Sequence, residues 1–74
     1  MVLDEKVAGA VLEKVRLIPY QSCAKSVMLE FNSAGKGSIA IETVRDEVKI
    51  WDFDDWKELP EAVKVADEWA RATT

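Results

Sequence analysis

Asp52, Asp54 and Asp55 fall within four positions and form the densest set of oxygen ligands in the sequence, the kind of set that could hold a divalent cation. A calcium loop, however, spaces its ligands at alternate positions around a turn glycine and closes with a distant Glu, and here the order breaks at Asp55-Trp56. Helix capping and compensation of a helix dipole account for these acids without a metal, and none is expected. Ser33-Ala34-Gly35-Lys36-Gly37-Ser38 contains a Gly-Lys pair, the core of a phosphate-binding loop. That loop needs a glycine where this chain has Glu30, and it must lead into a helix, so the stretch reads as a hairpin loop instead.

Nucleophilic chemistry is constrained further. The chain has no His, which removes the Ser-His-Asp and Cys-His arrangements, most catalytic zinc sites and an imidazole proton shuttle. Its one cysteine, Cys23, has only Lys25 near it in sequence to activate it and no second thiol with which to form an internal disulfide. Paired carboxylates can do acid-base work only in a cleft that shifts their pKa values, and a domain of 74 residues has little room for one. The expectation is a protein that is not an enzyme and carries no cofactor.

Charge distribution is more informative than its sum. The net charge is −4, from 10 bases and 14 acids. Residues 1 to 41 hold five bases and four acids, residues 42 to 61 three bases and eight acids, and residues 62 to 74 two of each. All the excess negative charge therefore lies in one stretch of 20 residues. That argues against a phosphate-backbone binder, which clusters Lys and Arg, and it suits a basic protein partner. Charged residues interrupt the apolar ones from Met1 to Arg16, so no signal-peptide core or membrane span is expected, and a cytoplasmic location is.

These residues must be held by a short list of elements. Leu3, Val7, Val11, Val15 and Ile18 recur at steps of four, four, four and three, with Ala8 and Leu12 widening the stripe, which predicts an amphipathic helix that Pro19 ends. Three runs of period two follow, Ser26 to Asn32, Ser38 to Thr43 and Glu47 to Asp52, and predict an antiparallel meander. A tight second turn at Arg45-Asp46 would set Ile41 opposite Ile50, Thr43 opposite Val48, Glu42 opposite Lys49 and Ala40 opposite Trp51. Asp55 and Glu58 form a capping-box pattern, after which either a single turn precedes Pro60 or the last helix starts at Pro60 itself. Trp56, Leu59, Ala62, Val63, Val65, Ala66, Trp69 and Ala70 supply that helix with its apolar stripe.

The resulting fold class is α+β: a single two-layer α-β-β-β-α domain in which a three-stranded antiparallel meander carries two helices on one face. On the register above, the open face shows Ser26, Met28, Glu30, Ser38, Ala40, Glu42, Lys49 and Trp51. In element order the whole chain resembles the double-stranded RNA-binding domain, a likeness of topology that implies a two-layer fold and a grip on phosphates from a Lys-rich start to the last helix. The matching stretch here, Asp54-Asp55-Trp56-Lys57-Glu58-Leu59-Pro60-Glu61, would repel phosphate, and no residue is carried over.

The leading expectation is a small acidic protein-interaction module of the adaptor or inhibitor kind, with self-association left open. Its contact would centre on Trp51 and Met28, with Ala40 between them and Glu30, Glu42 and Lys49 as rim, while Asp46, Asp54 and Asp55 on the acidic edge steer a basic partner. The alternatives are an acidic inhibitor that imitates a nucleic-acid backbone, and nucleic-acid binding in the manner of the resembled topology.

Overall fold

The apolar step of four becomes a helix, α1 (Glu5–Gln21), in a computed structural model that describes residues 5 to 73. The expectations for Leu3 and for the side chain of Val7 lie outside the described residues. Three strands follow, β1 (Ala24–Phe31), β2 (Gly37–Thr43) and β3 (Val48–Phe53), then a single 3-10 turn (Trp56–Glu58) and the last helix, α2 (Leu59–Ala72). The sheet is an antiparallel meander in the order β1-β2-β3. Both helices pack on the same face, α1 against β1 and α2 against β2 and β3, and each touches the other.

Pro19 does not end α1, contrary to its sequence reading; it sits inside the helix two residues from the end. So near the terminus, its missing N–H removes only one late backbone bond. Ile18, which a following proline biases away from helical backbone, is held by complete burial. The Ser22 hydroxyl then closes the end, donating to the Ile18 carbonyl at 2.7 Å and accepting from the Ala24 N–H at 3.2 Å. At the other helix, the single turn precedes Pro60. Asp55 accepts from the Lys57 N–H at 3.0 Å, and Glu58 reaches past it to the Asp54 N–H at 2.8 Å, a capping box stretched by one residue.

The core lies between sheet and helices. Ile39 and Ile41 of β2, Ile18 of α1, and Leu59, Val63 and Ala66 of α2 are almost fully buried. Burying a side chain the size of Ile or Leu contributes about 2 kcal/mol, so these positions dominate the fold's stability. Asp67, 6% exposed, ties the helices together: Arg71 Nε bonds its two carboxylate oxygens at 3.0 and 3.1 Å, Lys14 of α1 lies 3.9 Å away, and Arg71 also donates to the Gln21 side chain at 2.6 Å.

The β2–β3 register differs by one residue from the sequence expectation. Observed partners are Ile39 and Trp51, Ala40 and Ile50, Ile41 and Lys49, Glu42 and Val48. The cause is the turn. The Thr43 N–H donates to the Glu47 carbonyl at 2.8 Å and the Asp46 N–H to the Thr43 carbonyl at 2.9 Å, so the loop is the three residues Val44-Arg45-Asp46 rather than two. Asp46 closes it at φ 64°, in the left-handed region that Asp tolerates better than most residues. Because side chains alternate along a strand, that single added loop residue turns every β3 side chain to the opposite face.

Candidate functional site

The face of the sheet away from the helices is built from three cross-strand rows. Met28, Ala40 and Ile50 make the central row; Glu30, Ser38 and Asp52 lie on one side of it and Ser26, Glu42 and Val48 on the other. Met28, Val48 and Ile50 are 59%, 61% and 58% exposed. An apolar band thus crosses all three strands and is flanked by the carboxylates of Glu30, Asp52 and Glu42.

Two expected members of this surface are corrected by the register. Trp51 and Lys49 point to the helix side. Trp51 is half-buried and packs edge-to-face on Trp69 of α2, ring centres 5.5 Å apart, while Lys49 Nζ sits 5.6 Å from the Trp51 ring centre and 5.9 Å from that of Trp69. Trp51 is thus covered by α2. Val48, Ile50 and Asp52 take the vacated places on the open face. A sequence signal for them existed. Asn32-Ser33-Ala34-Gly35-Lys36 and Thr43-Val44-Arg45-Asp46-Glu47 share one frame, a side-chain acceptor followed three positions later by a residue that tolerates positive φ.

Of the remaining expected residues, Met28, Ala40, Glu30 and Glu42 share the open face. Asp46 and the Asp54-Asp55 pair do not join them. They stand at opposite ends of β3, separated by about 25 Å of chain at the usual strand rise. Each also has a local partner: Asp46 takes a hydrogen bond from Lys25 at 3.0 Å, Asp54 lies 3.8 Å from Lys36, and Asp55 caps the 3-10 turn. The Asp46 carboxylate, first by that bond and then by its charge with Glu42 assisting, raises the Lys25 pKa above its ordinary value. Among the described residues no group of three or more His, Cys, Asp or Glu could hold a metal ion. Cys23 is half-buried, its thiol donating to the Ala70 carbonyl at 3.3 Å.

A groove of about 360 Å³ lies between β3 and one flank of α2. Trp51, Phe53, Ala62 and Val65 give it an apolar floor, and Asp52, Lys57, Glu58 and Glu61 rim it. No helix among the described residues is long and apolar enough to cross a membrane. Compared with known proteins, the chain matches no family model, no curated protein and no solved structure.

Proposed function

We propose that the chain is a small acidic protein-interaction module of the adaptor or inhibitor kind, not an enzyme, which works in the cytoplasm by laying the open face of its sheet on a protein partner. The observation that carries this reading is the row Met28, Ala40, Ile50, continued by Val48: its three large side chains, Met28, Ile50 and Val48, are more than half exposed on a face that no element among the described residues covers. Contiguous exposed apolar surface with a polar border is the usual character of an interaction site. The carboxylates of Glu30, Glu42 and Asp52 select for a partner whose own apolar patch is bordered by Lys or Arg, and they speed its encounter at low salt.

The test is a tagged pull-down from native lysate, with and without nuclease, using the wild-type protein and Ile50→Lys. Ile50 is exposed, so the substitution leaves folding within about 0.5 kcal/mol, while a lysine in the middle of the apolar row lowers affinity by about tenfold or more. A protein that survives nuclease and is lost with Ile50→Lys supports the reading. Capture of equal strength by both proteins refutes it, and recovery of nucleic acid alone favours the resembled topology instead.

A further inference from the structure

The open face is not the only unsatisfied surface; β3 also has an unpaired edge, and the edge and the groove beside it fit one kind of ligand. Thr43 and Glu47 form a hydrogen-bonded pair at the turn, and pairs in an antiparallel ladder alternate, so Lys49, Trp51 and Phe53 turn their backbone groups inward to β2. Val48, Ile50 and Asp52 turn theirs outward, and among the described residues no backbone or side-chain group bonds them. The strand has neither a proline nor a bulge to blunt this edge, and its charged side chains are Lys49, held over the Trp51 ring, and Asp52. At the sheet's other edge, β1 is irregular between Ala24 and Ser26.

Three successive β3 residues, Trp51, Asp52 and Phe53, line the groove, and β2 occupies the strand's inner side, so the groove opens along the outer edge. Its rim holds three acids against one base, and neither Asp52 nor Glu61 has an ion-pair partner among the described residues. We propose that this edge binds an extended peptide segment rich in Arg or Lys, which adds to the sheet as a fourth strand beside β3. The segment's backbone would pair with Val48, Ile50 and Asp52, and the basic side chains on its helix side would lay their stems on Trp51 and Val65 with their charged heads at Glu61. This surface is separate from the open face, since the groove faces the helix side of the sheet.

The probe is a blocked heptapeptide of alternating Arg and Val, titrated into the isotopically labelled protein and followed by amide NMR. Saturable binding, with the amide protons of Val48, Ile50 and Asp52 moving downfield as they gain a partner, is the expected result. N-methylation of the three central peptide amides should weaken binding at least about tenfold, and replacement of Arg by Glu should abolish it. Glu61→Lys should weaken it several-fold, whereas Met28→Glu, two strands away on the open face, should leave it unchanged. The proposal fails if no saturable binding is seen, or if the N-methylated or Glu-containing peptide binds equally. It also fails if Met28→Glu removes binding, which would move the peptide to the open face, or if a second copy of the chain already occupies the β3 edge in solution.

Discussion

Asp46, at φ 64°, stands in the second hairpin where Gly35, at φ 83°, stands in the first. The two loops match bond for bond. Asn32 Oδ1 accepts from the N–H groups of Ala34 and Lys36 as Thr43 Oγ1 accepts from those of Arg45 and Glu47, and in both the third loop residue donates back to the carbonyl of that acceptor residue. A non-glycine residue thus holds the position on which the β3 register depends.

A β-branched residue cannot take that conformation cheaply. Asp46→Val should cost about 1–2 kcal/mol through the left-handed backbone alone, or shift β3 by one residue into the two-residue turn. Asp46→Gly should keep the register. Urea unfolding measures the cost, and NOEs between Ile39 and Trp51 report the register.

Gly35 is the less replaceable of the two. A Cβ there would run into the Trp56 ring, which packs on Phe31 with ring centres 4.4 Å apart. Gly35→Ala therefore combines backbone strain with displacement of an aromatic pair and should lower stability by about 2–3 kcal/mol in urea unfolding.

Trp51→Ala should likewise destabilise the domain, by about 2–3 kcal/mol, because the ring is half-buried against Trp69 on the helix side. Ile50→Ala, beside it in sequence but on the open face, should change stability by no more than about 0.5 kcal/mol. A comparison of the two variants in urea discriminates between the observed register and the one expected from a two-residue turn.

Removing the carboxylate between the helices separates packing from charge. Asp67→Ala should cost about 1–3 kcal/mol by releasing Arg71 and Lys14, both of which are half exposed and can rehydrate. In the Arg71→Ala background the further cost of Asp67→Ala should shrink, as a double-mutant cycle would show.

The pH dependence has two outer limbs. The Glu13 carboxyl is held below its usual value, first by its hydrogen bond from Arg16 and then by that residue's charge. With a lowered folded pKa, its contribution to stability is present above the unfolded carboxylate value, about 4.3, and is lost as pH falls through the lower folded value. Lys25 behaves oppositely. Its raised folded pKa gives a contribution fully present below the unfolded value, about 10.4, and lost as pH rises through the higher folded value. With no His, no imidazole step interrupts the range between, so the urea midpoint should hold steady from about pH 6 to 7.5.

Periodicity carried the element order, the meander and the core-facing sets of β1 and β2, because a period of two or of 3.6 is a local property that neighbouring residues enforce on each other. That Met28 and Ala40 share the open face was legible for the same reason. What lay beyond local pattern was the face of β3. Lys49, Trp51 and Phe53 alternate with Val48, Ile50 and Asp52, and both sets contain apolar residues, so hydropathy could not choose between them. Only the assembled domain chose: α2 brings Trp69 to meet Trp51, and a three-residue loop ending at Asp46 supplies the matching register. Pro19 is the same lesson at a helix end. Its local preference is to stop α1, and burial of Ile18 beneath the rest of the fold outweighs the one backbone bond that continuing the helix loses.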